Sequence, residues 1–199
     1  MTRFYPAAAP VPVRIAGDGF ILRPLTVAHV ALDYAAVMDS VLMLRRWSSS
    51  PWPADDFTLD DNRADLEGHQ QEHEQRVAFT YTVLDPAEAS CLGCVYIMPN
   101  TVPELLPRDD DALIRFWVRQ PLLGGGLDAR LLAALRDWRA HGFAFGRVFY
   151  HTNIDDHHQL ELFARAGLHG IGRYTFAHRA GIYAIYAESE PALSPPGLR

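Results

Sequence analysis

The chain contains no lysine; all 18 of its basic residues are arginine. That removes the Schiff-base nucleophile and the catalytic ammonium from its chemistry. It also excludes the Gly-Lys-Ser/Thr phosphate loop of kinase-like and GTPase-like proteins. Runs of basic residues are missing too, and the formal charge is −6, which argues against nucleic acid or an anionic membrane as a partner. No apolar stretch is long enough to span a bilayer. The opening MTRFYPAAAPVPV carries proline where a signal peptide needs a continuous apolar segment. The expectation is a soluble, cytoplasmic protein. Arginine without lysine, with abundant alanine and proline, fits the codon bias of a GC-rich bacterial genome.

Cysteine is nearly absent as well. Cys91 and Cys94 lie in a strand-like run, where residues three apart are expected on opposite faces. They are therefore read as buried small side chains, not as a disulfide or a metal pair.

What remains is 199 residues, 49% hydrophobic and 21% charged, enough for one domain with a substantial core. Residues 1–12 and 190–199 are rich in proline and alanine and read as loose tails, leaving 13–189 as the domain.

The most informative stretch runs from Asp111 to Trp138. Leu113, Phe116 and Val118 make a strand-like apolar run. Leu127, Leu131, Ala134, Leu135 and Trp138 recur at helical spacing on one face. Gly124, Gly125 and Gly126 join them and can bring bare backbone N–H groups close to a ligand where the helix adds its positive end. The pattern is that of an anion cradle suited to phosphate. Gly124 to Ala129 also fits G-x-G-x-x-G/A, but the repeated strand-helix units and the later acidic residue of a dinucleotide fold are not evident.

Upstream, a hairpin around Ala16 to Gly19 leads to Thr26, a candidate N-cap for a helix burying Val30, Tyr34, Val37 and Val41. Arg45 to Pro53 reads as a loop with two tryptophans that could line a pocket. A second helix runs from near Thr58 to about Gln75 with Leu59 and Leu66 inward. His69 to His73 matches H-x-x-E-H, yet its flanks are Gln and Glu throughout, so a solvated face is favoured over zinc. Val77 to Leu84 and Cys91 to Met98 read as antiparallel neighbours. After the central helix, Arg147 to Thr152 is a further strand, parallel to the first by the helix between them. Asp155 and Asp156 are placed to cap a helix that carries Leu162, Phe163 and Ala166, with adjacent His157 and His158 diverging on it and Gly167 ending it. Gly170 to His178 and Ile182 to Ala187 close the chain as a hairpin, which could pair across a two-fold axis in a homodimer.

This order, with Leu22-Arg23-Pro24, Leu92 to Ile97, Trp117-Val118 and Leu162 to Leu168 at their places, resembles the GNAT superfamily of N-acetyltransferases. The likeness covers nearly everything from Phe20 to Glu188. It implies an α/β (α+β) fold: a mixed, mostly antiparallel sheet with one splayed parallel strand pair and helices on both faces. It implies acetyl-CoA as cosubstrate, no metal, and a primary amine of a small molecule or peptide as acceptor. The pantetheine arm is expected along Trp117, Val118 and Arg119, and the diphosphate on the turn of Leu123, Gly124, Gly125, Gly126, Leu127, Asp128 and Ala129. Asn153, Asp156 and Phe163 are expected beside the cofactor.

Three positions, in two places, depart from the family pattern. Asp128 stands where the phosphate turn has its second glycine, and Leu123 where it has Arg or Gln. A carboxylate facing the cradle opposes phosphate by about 4 kcal/mol at 4 Å and an effective dielectric of 20, whereas one facing solvent leaves the cradle usable. The acid tyrosine of the late helix is replaced by Phe163. Tyr150 or His151, of which strand alternation turns one toward the notch, are the candidate acids; Asp111 and His151 are the candidate bases. The alternative is a GNAT-like fold that binds a ligand or a protein without turning over acetyl-CoA.

Overall fold

The structure is a computed structural model that describes residues 4–176 and 179–189. Its elements are β1 (Ile15–Gly17), β2 (Phe20–Pro24), α1 (Val30–Met38), α2 (Val41–Ser48), α3 (Leu59–Gln75), β3 (Phe79–Leu84), β4 (Cys91–Pro99), β5 (Asp111–Val118), α4 (Leu127–His141), β6 (Arg147–Asn153), α5 (His157–Arg165), β7 (His169–Phe176) and β8 (Arg179–Ala187). The strands form one sheet in the order β1-β2-β3-β4-β5-β6-β8-β7. Every neighbouring pair is antiparallel except β5 and β6. The mixed fold with a single parallel pair is as expected.

Alternation along β5 divides the core. Ala112, Ile114, Phe116 and Val118 face α4 and α5 in a cluster with Leu127, Leu131, Leu135, Trp138 and Phe163. Trp117 faces the opposite way, into a cluster with α1, α2 and α3 that includes Val37, Leu44, Trp47 and Leu66. Each fully buried large side chain contributes about 1.5–3 kcal/mol, so the periodic leucines of α4 are enough to seat that helix on the sheet.

The structure departs from the sequence reading in several places. Arg45 to Ser48 are not loop; they complete α2, because Leu44 and Trp47, at 0% and 5% exposure, supply a buried face. Leu59 opens α3 at 39% exposure instead of turning inward, while Leu66 is buried as expected. His69 and His73 do not lie on a solvated face: His69 meets Thr80 and Tyr96, and His73 lies against the rings of Phe79 and Tyr81. Cys91 and Cys94 share one face and one cluster. Leu84 pairs with Cys91 and Val83 with Gly93, so Leu92 is an extra residue in a bulge that resets the alternation. Both thiols are free.

Residues 4–12 are not loose. Tyr5 is 1% exposed, packs on Phe79, Phe143 and Phe145, and its hydroxyl donates to Pro10 O while accepting from Ala144 N. Arg76 donates to the carbonyls of Pro6 and Ala9. Three aromatic rings around Tyr5, together with Arg76, thus anchor a proline-rich segment whose composition suggested freedom. The tail from 190 and the end of the first hairpin arm, His178, lie outside the described residues.

Candidate active site

The parallel pair β5 and β6 is hydrogen-bonded only from Asp111 and Arg147 to Ile114 and Tyr150. Beyond that point β5 continues to Val118 and β6 to Asn153, and the two edges separate. Alternation turns the main-chain groups of Phe116 and Val118 into the opening, since those of Trp117 and Arg119 belong to the β4 side. Exposed strand edge of this kind can take an extended ligand as an added strand.

Side chains of the protein already reach into the opening. Phe116 O accepts from Trp47 Nε1 at 2.9 Å and from Gln159 Nε2 at 2.9 Å. Trp47 comes from α2 and is held by Arg115, whose guanidinium stacks 3.3 Å from the indole centroid. Gln159 comes from the first turn of α5, where Asp156 caps the helix by accepting from Gln159 N at 3.1 Å. What is left is a cavity of about 30 Å³ lined by Val118, Leu123, Asp128, Asp156 and His158 among others.

Leu123 and Asp128, which flank the glycine turn, line this cavity, while Gly124 and Gly126 themselves line the adjoining groove. Gly124 and Gly126 have φ of 87° and 74°, a region open to glycine at little cost, and Gly126 is the N-cap of α4. Gly125 N donates to Leu122 O, and Arg130 N to Gly126 O. Among the described residues the N–H groups of Gly124, Gly126, Leu127 and Asp128 have no acceptor. Four donors at a helix start make a strongly anion-attracting corner.

Asp128 occupies that corner. It is 7% exposed; Oδ1 accepts from Ala129 N at 2.8 Å, and Oδ2 accepts from His158 Nε2 on α5. Its carboxylate therefore faces the groove and not solvent. The Asp128–His158 contact stands between the small notch cavity and a groove of about 420 Å³ bounded by α4 and α5, because both residues line both spaces. Arg136, Glu161 and Arg165 also border that groove; Arg136 is committed to Glu188 and to Ala166 O.

The remaining residues named from the sequence fall into two groups. Leu123 and Val118 line the notch cavity, and Ala129 lines the groove. Arg119 donates its main-chain N–H to Leu92 O and its guanidinium to Asp39 and Cys91 O, on the β4 side. Trp117 lines the cavity with its indole N–H on Tyr96 Oη. Leu127 and Phe163 are core, Phe163 packing on Phe116, Tyr150 and Tyr186. Asn153 ties the end of β6 to α2 through Arg46 O and Ser49. Asp156 borders the notch, and burial pushes its carboxyl above the ordinary range.

The structure does not bring the three catalytic candidates together. Asp111 lies at the start of β5, at the end away from the splay. Burial alone would raise its pKa, but bonds from Arg147 (2.5 and 2.7 Å) and Arg108 N outweigh that and hold the carboxylate below its ordinary range. Tyr150 faces α5, its hydroxyl on Glu188 at 3.4 Å. His151 faces the other way, between the rings of Phe176 and Tyr183. None of the three borders the notch cavity or the groove. His158 and Gln159, which do, were not singled out from sequence as site residues, whereas Trp47, which also lines the notch, was named there within a segment that could line a pocket. The available signal was the N-cap at Asp156, which puts the second and third following residues on the first turn of α5, where His158 meets Asp128 and Gln159 meets Phe116 of the sheet.

No family model matches the chain, and no curated protein matches it in sequence. Solved structures do. A ribosomal L7/L12 α-N-protein acetyltransferase, RimL, in complex with coenzyme A is similar over 89% of this chain and 96% of its own, at 17% identity and a TM-score of 0.68. A ribosomal-protein-S5-alanine acetyltransferase from Vibrio fischeri matches over 92% and 100%, at 15% identity and 0.70. A GNAT-family acetyltransferase of Bordetella pertussis, described as putative, matches over 87% and 99%, at 20% identity and 0.62.

Proposed function

With the fold of the GNAT acetyltransferases as premise, we propose that this protein is an acyl-CoA-dependent N-acyltransferase acting on a primary amine of a small molecule or a peptide. One observation carries the reading: the β5 edge at Phe116 and Val118 lines the notch cavity, the turn whose Gly124 and Gly126 N–H groups are uncommitted borders the adjoining groove, and Asp128 lines both, so an extended-chain site abuts an anion site. That combination suits a ligand with an amide-bearing arm and a diphosphate. Acetyl-CoA, when bound, supplies the acyl thioester. The Phe116 and Val118 main chain is proposed to hold the arm, and the turn amides the diphosphate. Two of the comparison proteins are described as acetylating ribosomal proteins, which supports a peptide amine among the acceptors.

In the transfer the amine nitrogen attacks the thioester carbonyl carbon, the carbon–sulfur bond breaks with its electron pair leaving on sulfur, and the amine proton passes to a base. Of the carboxyl groups at the notch, Asp156 is the proposed acceptor of that proton. Its raised affinity for protons moves it toward the working range of a general base. Positioning and exclusion of water by Trp47 and Leu123 supply the rest.

Titration calorimetry with acetyl-CoA tests the reading: saturable binding in the micromolar range supports it, and none at millimolar concentration contradicts it. A second reading has its own observation. Phe116 O is engaged twice by side chains and Asp128 fills the anion corner, which favours a fold that binds a ligand or partner without turnover. Product formation from acetyl-CoA and a panel of amines separates the two.

A further inference from the structure

Gln159 places a primary carboxamide in the splay, beyond the last β5–β6 pair. Its Nε2–H donates to Phe116 O at 2.9 Å, the bond an amide of an added strand would make there. Its Oε1 is buried and has no partner among the described residues, and the residue is 5% exposed. Thr152, also past the last pair, is 2% exposed and its hydroxyl is likewise unpartnered. Buried polar atoms are ordinarily matched, so two orphaned oxygens beside the splay mark a place suited to a polar ligand group, and the Nε2–H bond to Phe116 O is what such a group must displace.

We infer that Gln159 is the residue that decides what the splay can hold, because its carboxamide stands in the place of a ligand amide. The inference rests on the transferase reading and adds a selection rule to it. A ligand that brings its own secondary amide to Phe116 O replaces the displaced bond one for one. A thioester whose arm lacks an amide breaks that bond and returns nothing. Trp47 keeps its bond to the same carbonyl throughout, so the strand edge stays anchored while Gln159 leaves. Asp128 plays no part in this selection, since it meets only the anionic end of a ligand.

Calorimetry with pantetheine, which has amides and no diphosphate, and with coenzyme A provides the test on the full-length protein and two variants. Gln159→Ala should bind both ligands at least about tenfold more tightly than the unaltered chain, a factor worth about 1.4 kcal/mol. Gln159→Met keeps the bulk without a donor and covers the case in which the alanine variant does not fold; it should tighten pantetheine by about threefold. If the unaltered protein binds coenzyme A and a folded variant binds pantetheine within twofold of it, the inference is overturned and the transferase reading stands. If neither ligand binds any of the three proteins, both are overturned.

Discussion

Replacing Asp128 by Asn removes one charge and almost no volume, and its effect on ligand binding is calculable. The carboxylate bonds the third amide of α4, Ala129 N, at 2.8 Å, so it sits within about 4 Å of an anion held by the preceding amides. At an effective dielectric of 20 the repulsion is about 4 kcal/mol. His158, bonded to Oδ2 and half exposed, offsets part of this, and salt screens the remainder. A net of roughly 1.4–3 kcal/mol corresponds to coenzyme A binding about 10- to 100-fold tighter in Asp128→Asn. Pantetheine, without the diphosphate, should be unaffected. The helix loses an acidic residue in its first turn, costing about 0.3–1 kcal/mol, so the variant should melt a few degrees lower and remain folded. Calorimetry in 0.1 M and 1 M salt completes the assay. The gap between the proteins should narrow at high salt, where the Debye length falls from about 10 to 3 Å. Coenzyme A affinity within twofold of the original, or an equal change for pantetheine, would refute the electrostatic argument.

Two further predictions concern the scaffold. Burial between α1 and α3 pushes Asp33 up to about 6, against one bond from Asn62. The folded state therefore binds that proton more tightly than the unfolded chain. The resulting penalty is nil below about pH 4, grows between about pH 4 and 6, and is constant above. Asp33→Asn should stabilise the protein by about 2–3 kcal/mol at pH 7 and by little at pH 4, measured by urea unfolding; an equal effect at both pH values would contradict it. Gly93 has φ of 155°, and a Cβ there would lie 2.1 Å from Trp117 O. Gly93→Ala should cost more than about 3 kcal/mol and disturb the bulge; a thermal melt unchanged from the original chain would show that β4 and β5 can part at no cost.

Much of the fold could be read from short-range patterns. The leucines of α4 lie at helical spacing, the glycines precede them, and Asp156 and Gly167 bracket α5. Local signals fixed these, and the structure keeps them. What escaped was set by distant contacts. Arg45 to Ser48 look like loop because breakers follow them, and they are helical because Trp47 is trapped between Arg115 and Phe116 O. The segment around Tyr5 looks loose by composition, and its anchor, Phe143 and Phe145, lies far along the chain. In the site, alternation established that Tyr150 and His151 face opposite ways. It could not say that Glu188 would take one and an aromatic pair the other. Asp128 was marked by its place in the turn, while the direction of its carboxylate depended on His158, thirty residues later.

The most direct test of the account is a crystal structure grown with saturating coenzyme A. The account predicts the diphosphate against the N–H groups of Gly124, Gly126, Leu127 and Asp128, and a ligand amide on Phe116 O with the Gln159 side chain displaced. A splay still filled by Gln159, with the turn empty of ligand and Asp128 still on His158, would contradict it.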